Sequence, residues 1–575
     1  MGTTTGQATA GTEVKDANGG GERKGAVLDV LKELLAGGHD DEVVALVSKL
    51  VKRNTELEKR LADILSRAKK SEGVSTAQLI LALDGLVHEM GCEEANQKLR
   101  EASGIDELAK KAETTKEPKK PPPVRKPPPP HLPRVDNPIR VPDAERACPL
   151  CGHERECIGH DVTETVDLIP AQVIVRRDLR EKLACKPCDG EPVRAPLGDK
   201  VVAGGAMGTT LVAQLIVDKY WDGLPLHRQR ERYLESGYEV AVSTLADQVM
   251  WGTDLLRPLW RVAFAVVLDS LIMHLDGTSL AVQDKTVPKG LRLGSLWGYV
   301  GVDTGEETAL YLYNSTGKKN GQRPGELGPE DVLRLRQGFA VADASNLFEK
   351  SFKRDGLIEC GCNMHARRYM TKALDGGDVR AALPLAAFKK VYDVEEEVRD
   401  RDAAGRLEVR QAKSKPVYDE LASWCRVHRP HEPPSSPLGK GINYLLNNEV
   451  ALRRFLEHGE VPIDNGAVER LHVRAAMTRK NFLFAGSDAG GERAAIAYTL
   501  LGCCALAEVN PVEYLADVLP RLARRIRISE LPALLPARWK RARAAALPAA
   551  LMLLANAAPT GDTAPTASAR ANTTR

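Results

Sequence analysis

Five short apolar segments do most to limit what this 575-residue chain can fold into. Leu271 to Val282, Leu296 to Val302, Thr308 to Tyr313, Gly338 to Ala342 and Leu357 to Cys362 are rich in Val, Leu, Ile and Tyr, as strands are. The first three arrive as a meander, and the polar stretch Gly325 to Arg336 reads as a crossover helix before the fourth. The expectation is a mixed sheet with helices, an α/β fold. Asp276 falls on the first strand and Asp343 directly after the fourth. Either alone would ordinarily be a turn carboxylate, so the pair gains meaning only with a third acid.

Glu469 is that acid. It lies in Asp464-Asn465-Gly466-Ala467-Val468-Glu469-Arg470, and Arg474, Arg479, Lys480 and Asn481 follow it. One carboxylate inside an apparently helical, cationic segment suits a metal-dependent enzyme that meets a phosphodiester backbone. The strand order is that of a ribonuclease H-like sheet, in which the first and fourth strands are neighbours. Asp276 and Asp343 would then converge, and Glu469 would close the site from a later helix. Hard carboxylates can hold two Mg²⁺ ions about 3.5–4 Å apart, which activate a water or a DNA 3′-hydroxyl and stabilise the leaving oxygen.

The rest of the chain divides into several parts. Val43, Val47, Leu50, Asn54, Leu57, Leu61, Ile64 and Ala68 form a heptad seam with Asn54 at an a position, the pattern of a parallel dimer. An amphipathic helix packed on its own domain is the alternative. Lys116 to Pro142 is too proline-dense for anything but an extended linker. The expected organisation is a disordered tail (1–25), a helical region with the seam (26–114), a Pro-rich basic linker (115–142) and a zinc finger (143–195). A helical segment (196–265), a catalytic domain (266–500) with a helical insertion (371–459), a basic helical region (501–545) and a second disordered tail (546–575) follow.

Cys148-Pro149-Leu150-Cys151 and Cys185-Lys186-Pro187-Cys188 supply four thiolates with the spacing of a closed, structural zinc site. Cys148, Cys151, Cys157 and His160 are a local alternative set. Eleven cysteines, an odd number, argue against a disulfide framework. Further on, Leu224 to Gln229 opens a basic helix, Gly237 breaks it, and Ser243-Thr244 reads as the cap of the next. This is the outline of a helix-turn-helix and equally of a plain helical hairpin; Arg228, Arg230 and Arg232 would be phosphate contacts.

The net charge of +3 says little about nucleic acid, so local clusters carry that expectation. They lie at Lys119 to Lys126, after Glu469, and from Arg521 to Arg543, where Glu530 is the only acid. The N-terminus lacks the pattern of a signal peptide, and the apolar run Ala544 to Ala555 is too short for a membrane span and contains Pro548. The expectation is a cytoplasmic protein with no membrane partner.

These motifs together resemble transposases of the insertion-sequence-66 family, a branch of the DDE recombinases. The resemblance runs from about residue 26 to 540 and rests on the leucine seam, the Cys-Pro-x-Cys-Gly finger and the helical segment from Lys219-Tyr220 to Leu245-Ala246. Its most specific parts are Cys362-Asn363-Met364-His365-Ala366-Arg367-Arg368 and the stretch from Ile463-Asp464-Asn465 to Ala485-Gly486-Ser487. It implies a catalytic triad of Asp276, Asp343 and Glu469 with Mg²⁺ or Mn²⁺, and strand cleavage and joining at terminal inverted repeats. It also implies a bacterial protein, nucleoid-associated when on DNA, that works as a dimer or larger assembly, with accessory proteins of the same element as further partners. A catalytically silent DNA-binding derivative, acting as repressor or architectural factor, is the alternative. His365, Arg367 and Arg368 follow the fifth strand closely enough to approach the scissile phosphate, as would Arg470, Arg474, Arg479 and Lys480. The chain departs from the family pattern in Asp276-Gly277-Thr278-Ser279 and Asp343-Ala344-Ser345-Asn346, which lack the family's usual second acid and proline, and its Gly-aromatic pair.

Overall fold

In a computed structural model of the chain, the described residues are 92–107, separated positions between 134 and 201, and 205–545 apart from 317–324, 344–347 and 525. The heptad seam, the proline linker, both tails, His160 and the cysteines Cys148, Cys151, Cys185 and Cys188 lie outside them. The chain divides into two compact units: Met1–Ala109 with Arg367–Lys390 and Val417–Ile442, and Lys110–Ala366 with Val391–Pro416 and Asn443–Arg575. Residues of the segment 371–459, expected as one insertion, thus fall in both.

In the first unit the helix Glu93–Ser103 buries Leu99, and Ile105 is buried just beyond it. Trp424 Nε1 donates to Asn96 Oδ1 at 2.6 Å, and the Trp424 ring stacks on His428 with centroids 3.9 Å apart. Arg380 pairs with the buried Glu432 at 2.9 Å.

The larger unit begins with four helices, α1 (Thr209–Tyr220), α2 (Leu226–Glu235), α3 (Val242–Leu255) and α4 (Arg257–Asp269). Gly237 has a φ of +80° and ends the link from α2, as the sequence suggests. The expected Ser243 cap is corrected: α3 starts one residue earlier, with Ala241 in the extended cap position and no side-chain cap, so Ser243 and Thr244 sit within its first turn.

The sheet follows: β1 (Ile272–Gln283), β2 (Leu291–Asp303), β3 (Glu306–Asn314), then α5 (Pro329–Leu335), β4 (Gly338–Ala342) and β5 (Leu357–Gly361). Its order is β3-β2-β1-β4-β5, antiparallel across the meander and parallel from β1 through β4 to β5. Side chains alternate between faces along each strand. Leu296, Val300, Ala309 and Tyr311 face one core with Ile496 and Leu500, while Trp297, Tyr299, Leu310 and Leu312 face another with Val267, Val332 and Leu333. Burial on both sides explains why these strands read as continuous apolar runs rather than alternating ones.

After β5 come α6 (Asn363–Asp375) and, beyond the insertion, α7 (Gly466–Phe482) and α8 (Asp488–Leu506). The turn into α7 is over-determined. Asn363 Nδ2 donates to the carbonyls of Leu452 and Ile463, both at 3.0 Å. Buried Arg410 pairs with Glu395 at 2.6 Å and donates to the carbonyls of Phe455 and Val461. Asp464 accepts from the Tyr392 hydroxyl and from Gly466 N. Asn465, fully buried, ties this turn to β1: Nδ2 donates to Leu275 O at 2.9 Å and Oδ1 accepts from His274 Nδ1 at 3.0 Å. Burial lowers the His274 pKa to about 4, so the ring is neutral with its proton on Nδ1.

Asn465→Ala would strand a buried carbonyl and a buried imidazole N–H, at about 1–3 kcal/mol each. The expected outcome is a lower urea midpoint for the sheet-bearing unit; an unchanged midpoint would refute this role for Asn465.

Candidate active site

Sheet register sets the first half of the site. Strands β1 and β4 are parallel, with Ile272 opposite Phe339, Met273 opposite Ala340 and His274 opposite Val341. Continued two residues further, that register brings Asp276 level with Asp343, on adjacent strands. Both side chains stay partly open to solvent, 35% and 39% exposed. The Tyr444 hydroxyl donates to Asp343 Oδ1 at 3.0 Å.

Helix α7 supplies the second half. Glu469 is in its first turn, and His472 lies three residues on, on the same helical face. His472 Nε2 is 3.1 Å from the Asp276 carbonyl oxygen and 3.7 Å from its carboxylate, while Nδ1 is 3.2 Å from the Tyr311 hydroxyl. Burial lowers the His472 pKa against the pull of Asp276, which favours the neutral ring. With Tyr311 donating to Nδ1, Nε2 holds the proton and donates to the Asp276 carbonyl. The approach needs a glycine on the neighbouring strand: Gly298 is paired with Asp276, and a Cβ there would stand 2.7 Å from His472 Cε1.

His365, in the first turn of α6, lies between the remaining two acids. Its Nε2 is 3.9 Å from Asp343 Oδ2 and its Nδ1 is 3.7 Å from Glu469 Oε1. These separations are too long for hydrogen bonds. The carboxylates of Asp276, Asp343 and Glu469 are an all-oxygen donor set of the kind Mg²⁺ or Mn²⁺ takes, so the residues fit a divalent ion.

The expected phosphate contacts fall into separate groups. Arg470, Arg474 and Lys480 are exposed along α7, and Arg474 also covers the Trp221 ring at 5.2 Å. Arg479 differs, because it donates to Thr278 Oγ1 at 2.7 Å and to the Ser279 carbonyl, bracing β1 just past Asp276. Arg228 and Arg232 are exposed on α2 and Arg230 is half-buried there. Arg232 also lies 3.5 Å from Asp218. Helix α3 carries no Lys or Arg, and its Asp254 is paired with Arg493 at 2.9 Å. Arg367 and Arg368 continue α6 within the first compact unit. In the C-terminal cluster, Arg538 and Arg541 both pair with Glu306, and Arg521 pairs with Asp517.

Sequence reasoning did not single out His472, Tyr311, Tyr444 or the two bonds of Asn465. The one signal available was the three-residue step from Glu469 to His472, which places both on one helical face. Ser487 caps α8 by accepting from Gly490 N.

Two family matches lie along the chain: "Transposase IS66 family" covers residues 204–493, and "zinc-finger binding domain of transposase IS66" covers 145–189. The second span encloses Cys148, Cys151, Cys185 and Cys188. Among curated proteins, "Uncharacterized protein y4hP" of Sinorhizobium fredii (strain NBRC 101917 / NGR234) is 32% identical over 443 residues, covering 71% of this chain and 78% of that relative. From the same organism, "Uncharacterized protein y4qI" is 29% identical over 465 residues, covering 79% of this chain and 82% of the relative. Since the first match alone takes in just over half of its length, the chain belongs to the transposase IS66 family.

Proposed function

We propose that the chain is a DNA transposase that cuts and joins strands at the terminal inverted repeats of an insertion sequence, with Asp276, Asp343 and Glu469 as its catalytic carboxylates. The observation that carries this reading is the placing of acids from distant parts of the chain: Asp276 falls level with Asp343 across β1 and β4, and His365 stands 3.9 Å from Asp343 and 3.7 Å from Glu469. The mixed five-stranded sheet, in the order β3-β2-β1-β4-β5, is consistent with the ribonuclease H-like core that this reading expects. Asp276 and Asp343 would hold both divalent ions and Glu469 one of them. When bound, such ions activate the attacking oxygen and stabilise the leaving one.

The protein's own residues do the positioning. His472 holds β1 at the Asp276 carbonyl and Arg479 holds it two residues on at Thr278, so the backbone that carries the carboxylate stays fixed as DNA arrives. Tyr444 bonds the Asp343 carboxylate itself. Arg470, Arg474 and Lys480 turn the open face of α7 towards a polyanion, next to Glu469 on the same helix. The displacement at phosphorus is direct: the new P–O bond forms in line with the one that breaks, without a covalent link to the protein. Zinc on Cys148, Cys151, Cys185 and Cys188 would have a structural role, with four thiolates leaving no open position. Self-association through the heptad seam would bring two ends into one assembly.

The test is cleavage of a labelled duplex carrying the element's own end, in Mg²⁺ or Mn²⁺, by the native chain and by Asp276→Ala, Asp343→Ala and Glu469→Ala. Cleavage lost in each variant, with DNA binding and zinc content intact, is the expected result. Specific end binding without cleavage by the native chain would favour the silent DNA-binding derivative. His472→Phe is expected to lower the cleavage rate about 10²-fold, the scale of a small misplacement at a reacting centre, with DNA affinity unchanged. A native rate would remove His472 from the account. For Arg470→Ala, Arg474→Ala and Lys480→Ala combined, the slope of log binding constant against log salt should fall by about 0.9 per phosphate contact removed. A native slope would clear this face of DNA contact.

A further inference from the structure

Cys362 directly follows β5, is buried, and lies one turn before His365. One donor atom from each of Cys362, His365 and Glu469 lies within 4.8 Å of the others. Three ligands of a tetrahedral zinc ion, bonded at about 2.0–2.3 Å, stand roughly 3.3–3.8 Å from one another. Closing the gap takes about an ångström, within the reach of rotamer adjustment in the two partly exposed side chains. Two further features mark the cluster as more than packing. His365 Nδ1 is buried and has no hydrogen-bond partner among the described residues, yet it lies 3.7 Å from Glu469 Oε1. The Sγ atom of Cys362 accepts the Asn465 backbone N–H at 3.3 Å, and the His365 backbone amide acts on it in the same sense, the support a metal-bound thiolate requires.

We propose that Cys362, His365 and Glu469 form a second metal site, for a thiophilic divalent ion of the zinc class, and that its occupancy withdraws Glu469 from the aspartates and stops cleavage. The donor set discriminates by chemistry. Sulfur and imidazole suit Zn²⁺ or Co²⁺, whereas Mg²⁺ demands near-octahedral oxygen and keeps its waters. Without metal the thiol stays protonated, since burial raises its pKa to about 12. On binding, the S–H proton leaves to solvent as the S–metal bond forms. Glu469 cannot serve both sites at once, so the second site acts as an off-switch for the first. The binding claim stands on the cluster alone; the effect on cleavage rests on the proposed function.

The test is a Co²⁺ titration of the full chain with its four-cysteine finger already filled with Zn²⁺. One additional equivalent with a thiolate-to-cobalt absorption band is expected. The band should vanish in Cys362→Ser, and Co²⁺ affinity should fall by about tenfold or more in His365→Gln. Asp276→Ala should keep the band while losing cleavage, which separates this claim from the proposed function. Micromolar Zn²⁺ should inhibit Mg²⁺-dependent cleavage by the native chain and spare Cys362→Ser. No additional equivalent, or a band that survives in both Cys362→Ser and His365→Gln, would overturn the site. A band with undiminished cleavage would overturn the switch.

Discussion

His472 joins the helix that carries Glu469 to the strand that carries Asp276, through one hydrogen bond to a backbone carbonyl. The bond works because each neighbour is arranged for it. Tyr311 sets the tautomer from β3, burial keeps the ring neutral, and Gly298 leaves the space a side chain would fill. Two residues before the helix starts, Asn465 and Asp464 fix its entry against β1 and against Tyr392. Helix α7 is therefore held at its N-terminal end by polar contacts, those of Asn465 and His472 buried, where each unmade bond is costly. A rigid helix is what lets a carboxylate more than a hundred residues from Asp343 in sequence return to one place.

This arrangement explains why the long segment between Asp343 and Glu469 does not loosen the site. Closing a long loop costs little more than closing a short one, provided its ends are firmly anchored. Here Arg410 and Asn363 do the anchoring, each donating to carbonyls of the returning chain before Asp464. The inserted helices can accordingly belong in part to another compact unit, one that also takes in the helix Glu93–Ser103.

Much of this was legible in the sequence, for identifiable reasons. Strands buried on both faces announce themselves as apolar runs, and all five were found near their expected bounds, with β2 extended back to Leu291 and β3 lengthened at both ends. The positions expected of the three acids hold: Asp276 lies within β1, Asp343 directly follows β4 and Glu469 stands in the first turn of α7. The cation clusters were read less well. Arg538 and Arg541 look unopposed along the chain, yet Glu306, more than two hundred residues away, pairs with both. Arg479 likewise reads as a phosphate contact and is spent on β1. Pairing between distant segments leaves no local mark, and neither does a histidine whose role depends on which carbonyl it meets. Ser243 shows the smaller limit: a good capping residue does not cap if the helix begins one residue before it.

In the proposed function Asp276, Asp343 and Glu469 act as one metal-binding site on DNA. Anomalous diffraction from crystals of the full chain with a cleaved transposon end and Mn²⁺ tests it most directly. Manganese peaks shared between Asp276 and Asp343, with Glu469 on one of them and the DNA 3′ end beside the pair, are the expected result. Manganese absent from these carboxylates, or bound only elsewhere on the chain while DNA is in place, would contradict it.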